Sequence, residues 1–169
     1  AMRQRISEER LNHLKPLFDA IYEGPFDAVK EAVLDNSELK KAVKLLKEKG
    51  YKLIVATNPM FPALAIEKRI QWTGIDRAAF DYVTSFEKNH FCKPQVHFYQ
   101  EILDHNHLQA ENCLMVGNDS FEDMVASKLN IKTYLIEDHI IESEHALQAD
   151  QKGTMLDFLK YVEQLPSLI

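Results

Sequence analysis

The sequence predicts a layered α/β fold built on a parallel sheet. Three observations carry this reading. Short apolar runs of strand length alternate with segments of helical periodicity along most of the chain. Residues 113–135, CLMVGNDSFEDMVASKLNIKTYL, form a strand–turn–helix–strand unit of the length that makes a parallel crossover. Two of the apolar runs also end in polar turns, ATNP and GNDS, at the strand ends where such sheets hold their ligands.

Taken in order, residues 7–34 are helical in pattern. Leu11, Leu14, Leu17, Phe18 and Ile21 make one apolar stripe, and Ser7 stands at the capping position. Pro16 lies inside that stripe and should kink or split the helix. Gly24 and Pro25 punctuate, and Phe26, Val29, Ala32 and Val33 start a second short helix. Asn36 or Ser37 caps a third, in which Leu39, Ala42, Val43, Leu45 and Leu46 recur at helical spacing before Gly50. The run YKLIVA, residues 51–56, is a strand. Ala63, Ile66, Ile70 and Trp72 mark a helix that ends near Gly74. A turn of helix at 76–80, a short strand at 82–84 and a polar loop at 87–92 follow. Lys93 and Pro94 open a helix carrying Phe98, Tyr99, Ile102 and Leu103.

Residues 113–116 form the next strand, broken by Gly117. Ser120 is placed to cap a helix with Phe121, Met124, Val125 and Leu129 on one face, and 131–135 returns as a strand. Residues 137–153 are polar and irregular in pattern, and a last helix over 155–162 carries Leu156, Phe158 and Leu159. Trp72 and Phe80 are expected in the core. Met60 and Phe61 are open to two roles, core packing or lining a substrate pocket.

Composition narrows the function. The chain of 169 residues has 46% hydrophobic and 27% charged residues, an ordinary globular balance. A formal net charge of -6 with no long basic run argues against nucleic acid or an anionic membrane as the partner. No apolar run approaches spanning length or resembles a secretory leader. Two cysteines, Cys92 and Cys113, make no disulfide framework and fit a reducing compartment. A cytoplasmic location is the expectation.

Three strand ends carry chemistry that belongs together. Thr57 offers a hydroxyl and Asn58 an amide beside it; Lys93 offers a cation. Asp119 and Asp123, one helical turn apart, offer two carboxylates to one point above the sheet. Hard oxygen ligands at a sheet mouth suit a magnesium ion that also holds a phosphate. A hydroxyl, an ammonium and a magnesium site are the parts that neutralise a phosphoryl group in transfer. An aspartate before a helix also serves as a plain cap, so the acidic pair alone leaves both roles open. The histidines show weaker patterns. His105 and His107 flank an asparagine in a polar turn, and His90 lies close enough in sequence to Lys93 to reach a substrate there.

Residues 37–136 resemble the haloacid dehalogenase-like hydrolases, a superfamily made mostly of phosphatases. The second family motif, an apolar strand ending in Thr or Ser, is matched by LIVAT with Thr57. The third, a lysine, is matched by Lys93 in CKP, and the fourth, a strand leading to an acidic signature, by LMVGNDSFED. The resemblance implies a Rossmann-like core over residues 36–169, with residues 1–35 as the end of a helical cap domain. It implies Mg2+ as cofactor and a small phosphorylated molecule as substrate. Thr57 and Lys93 then act in catalysis, Thr57, Asn58 and Lys93 contact substrate, and Asp119 and Asp123 hold or orient the metal.

One family motif has no counterpart. The nucleophile belongs to an Asp-x-Asp after the central strand, and this chain contains no Asp-x-Asp. Asp19, Asp27 and Asp35 are the only aspartates before Lys52, and none follows an apolar strand. The chain is thus expected to be a fragment or truncated form, inactive alone. The central strand is expected to be missing between the strand ending at Thr57 and the one ending at Val116. Unpaired backbone groups cost about 1–3 kcal/mol each when buried. Three outcomes could answer that cost: a complementing amino-terminal segment, direct closure of the two neighbouring strands, or a homodimer. Two rival functions remain, a non-catalytic phosphate- and magnesium-binding module and a receiver-like signalling domain.

Overall fold

The computed structural model describes residues 7–169, and the side chains of Glu8 and Leu11 lie outside the described set, Leu11 with its place in the expected stripe. Ser7 accepts a hydrogen bond from the Arg10 amide and opens α1 (Glu8–Glu23). Pro16 does not split it. The proline deprives the Asn12 carbonyl of a partner, and Asn12 is exposed, so water can take that place. A 3₁₀ segment, Pro25–Ala32, follows. The Asn36 side chain accepts from the Leu39 amide at 2.8 Å and starts α2 (Ser37–Glu48), and Gly50 leaves it at φ 84°. Then come β1 (Ile54–Val55), α3 (Ala63–Trp72), β2 (Tyr82–Val83), α4 (Val96–Asn106), β3 (Leu114–Gly117), β4 (Lys132–Ile136), β5 (Gln151–Gly153) and α5 (Met155–Gln164). A reciprocal Thr154–Asp157 capping box opens α5. Lys49 Nζ closes it by donating to the carbonyls of Val162, Glu163 and Leu165.

All strand pairing is parallel, in two separate sheets. One is β1–β2, with Ile54 opposite Tyr82. The other is β3–β4–β5, with Leu114 opposite Lys132 and Tyr134 opposite Gln151. Two expectations need correction here. Residues 137–153 are not wholly irregular, because three of them form the edge strand β5. The strand expected over 51–56 is paired only at Ile54–Val55, because β2 is its one neighbour. No strand is found among the described residues before Ile54, and direct closure does not occur: β1 does not pair with β3.

Among the described residues, the edge of β1 turned away from β2 and the edge of β3 turned away from β4 carry no strand partner. Leu53 and Val55 turn their carbonyls to β2, accepting from Asp81 and Thr84. Alternation therefore turns the peptide groups of Ile54 and Ala56 the other way. Cys113 accepts from Lys132, so Leu114 and Val116 likewise present theirs away from β4. β2 and most of β4 are buried, whereas β1 and β3 are only half-buried. In a parallel sheet covered on both faces, the innermost strands should be the most buried. The space between these two edges, a slot, separates the two sheets.

Helices bridge that slot. Phe98, Tyr99, Ile102 and Leu103 of α4 form one core with Val125, Ala126, Ile131 and Tyr82. Ile54 and Ala56 pack on this core from one side of the slot and Met115 from the other. On the opposite face, Leu114 and Val116 meet Ala42 of α2 and Phe158, Leu159 and Val162 of α5. Val55 and Val83 pack with Phe80 against Ile66 and Ile70 of α3. Trp72 is half-buried and meets Phe26, while Tyr22 and Phe26 both touch the exposed Phe61, so residues 8–32 dock on α3. Met60 is 68% exposed and belongs to no core.

Candidate active site

The site grows from the turn after β3. Asp119 Oδ1 accepts from the amides of Phe121 and Glu122 at 2.9 and 2.7 Å. Asp119 is thus the capping residue of this turn, and Ser120 is not. Ser120 Oγ instead accepts from the Ser143 amide, in a strap that runs over the turn. Ile141 and Leu147 bond the same turn through their backbones, and Asn118 donates to the His139 carbonyl. The expected helix after the turn is a 3₁₀ segment, Met124–Leu129.

Asp123 is the centre of the arrangement. Its Oδ2 accepts from the Asp119 amide at 3.0 Å and its Oδ1 from Lys93 Nζ at 2.5 Å. Both side chains of this ion pair are 8% exposed. Gly117 makes room for it, because a Cβ there would collide with the Asp123 carboxylate. Lys93 Nζ also lies over the rings of Phe98 and Tyr99, at 5.7 and 5.9 Å from their centroids. Tyr99 donates to the Glu122 carbonyl at 2.7 Å. Burial, with the charges of Asp123, Glu122 and Asp119 adding to it, pushes the Tyr99 phenol far above its ordinary range. It stays a neutral donor.

The turn after β1 is held by β2. Thr84 Oγ1 accepts from the Thr57 amide at 3.0 Å and donates to the Thr57 carbonyl at 2.6 Å. The Thr57 hydroxyl itself has no partner among the described residues. Asn58 Oδ1 accepts from the Lys93 amide at 2.8 Å, and its Nδ2 donates to Glu122 Oε2 at 3.0 Å. The structure therefore brings Asn58, Lys93, Asp119 and Asp123 into one hydrogen-bonded chain, with Thr57 next to Asn58 at its start. Glu122, which sequence reasoning passed over, is part of that chain. Nothing in the motif spacing marks it, since only the fold turns it toward Asn58.

The histidines lie elsewhere. His90 Nδ1 is 2.6 Å from Glu101. Burial pushes the Glu101 carboxyl up, but bonds from His90 and Asn89 outweigh it and hold the group below the usual range. His105 packs on Tyr82, and His107 ends α4 in the left-handed conformation. Among the described residues, no three His, Cys, Asp or Glu side chains converge on a metal position. Mg2+ needs less than that, because it keeps several waters and takes one or two carboxylates plus phosphate. Asp119 Oδ2 has no hydrogen-bond partner among the described residues, while both Asp123 oxygens are engaged. The donor set fits Mg2+ with Asp119 as the ligand and Asp123 as the group that orients the turn.

A threonine hydroxyl, a buried lysine and an acidic turn together form a set of groups able to hold a phosphoryl group. A family model for haloacid dehalogenase-like hydrolases matches residues 2–136, and the chain belongs to that family. It is 26% identical over 129 residues to a glyceraldehyde 3-phosphate phosphatase of Methanothermobacter thermautotrophicus, covering 73% of this chain and 54% of that protein. The chain thus spans about half the length of that relative. Among solved structures, it resembles a HAD phosphatase from Thermococcus onnurineus with TM-score 0.71 and 19% identity, over 93% of this chain and 72% of that one. A putative beta-phosphoglucomutase from Thermotoga maritima gives TM-score 0.68 and 16% identity, over 90% and 70%. At these identities the structures speak for the fold. No described helix is long and apolar enough to cross a membrane.

Proposed function

We propose that this chain carries most of the active site of a magnesium-dependent phosphomonoester hydrolase acting on a small phosphorylated molecule. The carrying observation is the buried Lys93–Asp123 pair beside the Asp119 turn. The Thr57 hydroxyl donates to a phosphoryl oxygen. The Lys93 ammonium, preset by Asp123, balances the charge of the phosphorylated nucleophile. Asp119, whose Oδ2 is unengaged among the described residues, would hold the metal. Bound Mg2+ supplies charge neutralisation at the phosphoryl oxygens.

The nucleophile comes from a parallel strand seated in the slot between β1 and β3. The open peptide groups of Ile54, Ala56, Leu114 and Val116 are its hydrogen-bond partners, and the apolar lining from both cores fits a strand buried on both faces. An Asp-x-Asp at its carboxyl end would stand beside Thr57 and Asp119. The first carboxylate attacks phosphorus as the second, protonated, gives its proton to the departing alkoxide oxygen; the second then takes a proton from the water that hydrolyses the aspartyl phosphate. The helices of residues 8–32, docked on α3, are read as the end of a cap, and the whole is placed in the cytoplasm.

The test is aryl phosphate hydrolysis with Mg2+, by the chain alone and with a synthetic peptide of six apolar residues followed by Asp-x-Asp. The expected result is no turnover alone, turnover with the peptide, and none with an Asn-x-Asn peptide or with Asp119→Asn. Phosphate binding with no turnover in any arm would favour the non-catalytic module instead.

A further inference from the structure

We propose that Asn58 is a positioning residue. Its side-chain amide, with Glu122 as counterpart, is the joint that fixes the Lys93 backbone against the acidic turn across the open slot. The purpose assigned to the joint, presetting the Lys93 ammonium, rests on the hydrolase reading; the joint itself does not.

Three loops meet at this side chain. Asn58 follows β1, Lys93 precedes α4, and Glu122 belongs to the turn after β3. β1 and β3 share no strand hydrogen bonds, so polar ties across the slot come from side chains. Asn58–Glu122 is one such tie, and Lys93–Asp123 brings the α4 loop to the same turn. The partners also fix the direction of the amide. The Lys93 N–H can only donate, so it takes Oδ1. The Glu122 carboxylate can only accept, so it takes Nδ2. A carboxylate at position 58 could serve Lys93 but not Glu122, and a hydroxyl lacks the reach for both. With Oδ1 and Nδ2 each holding a partner inside the protein, the Asn58 side chain ties the site together.

This direction of bonding gives a reversible test. Asn58→Asp keeps the acceptor for Lys93 but sets a carboxylate against Glu122. Adding Glu122→Gln restores the tie with its polarity reversed, since the new amide donates to the new carboxylate. The readouts are hydrogen exchange at the Lys93 amide by NMR at pH 7 and the melting temperature of the full chain. Asn58→Asp should speed exchange at Lys93 by about tenfold and lower the melting temperature. The double variant N58D/E122Q should return exchange to within about threefold of the parent. Unchanged exchange in Asn58→Asp, or no recovery in the double variant, overturns the joint. Neither readout needs metal, phosphate or a complementing strand, so a failed hydrolysis assay and a failed joint are distinguishable.

Discussion

The two sheets face the same slot and are built differently. β3 and β4 pair over four positions, with a third strand beyond, and α2 and α5 cover one face. β1 and β2 pair over two. The acidic turn after β3 is tied by its own aspartates, by a glycine that admits one of them, and by the strap through Ile141, Ser143 and Leu147. The turn after β1 leans on Thr84 and Asn58. The β3 side holds its geometry from within. The β1 side borrows the Thr84 hydroxyl just after β2, the Lys93 backbone amide before α4 and the Glu122 carboxylate of the acidic turn.

If that contrast is right, damage at the centre of the β3 side should be the most costly. Asp123→Ala leaves Lys93 buried without its partner and the Asp119 amide without its acceptor. Removing one member of a buried pair costs about 3–5 kcal/mol. Urea unfolding should show a loss of that size, and a loss below about 1 kcal/mol would mean that water reaches Lys93 and the β3 side is no more self-contained than the other. Gly117→Ala is the next test. The added methyl occupies the space of the Asp123 carboxylate, so the turn must move, at about 2–3 kcal/mol. Its effect should not add to that of Asp123→Ala, because both act on one contact.

Much of this contrast was legible in the sequence, but only one half of it. The Asn36 cap and the apolar face of α4 are local signals, and each fell where periodicity and capping put it; the acidic turn stands where expected but is capped by Asp119. The spacing of Asp119 and Asp123 also reports a real contact, though one made through a backbone amide and not by two free carboxylates. What failed is non-local. β5 is the tripeptide QKG, defined by a backbone ladder to β4 that leaves no apolar alternation to read. Strand β1 is shorter than its apolar run because pairing, not propensity, sets its ends. Ser120 is placed in sequence to cap the helix, but the strap claims its hydroxyl and Asp119 caps instead. Glu122 is visible only once the chain is folded around it, and Gly117, expected to break the strand, instead ends β3 and makes room for Asp123.

The smallest expected effect lies on the β1 side, and it titrates. Asp81 accepts from the Leu53 amide at 2.8 Å and from Lys47 Nζ at 3.1 Å, so it ties the start of β1 to the start of β2 and to α2. Burial pushes its carboxyl up, but the bonds from Leu53 and Lys47 outweigh that and hold it below the ordinary value of 3.8. A carboxyl depressed in the folded state binds its proton more readily when unfolded. Its contribution is therefore complete above the unfolded value and is lost as pH falls through the folded one. Asp81→Asn should cost about 1 kcal/mol at pH 7, and less as pH drops below 4, where the parent loses the same interaction. Urea melts of both chains at pH 7 and pH 3 measure this. An equal gap at both pH values would mean that the thin sheet does not depend on this side chain's charge, and that β1 is held by packing on α3 and α4 alone.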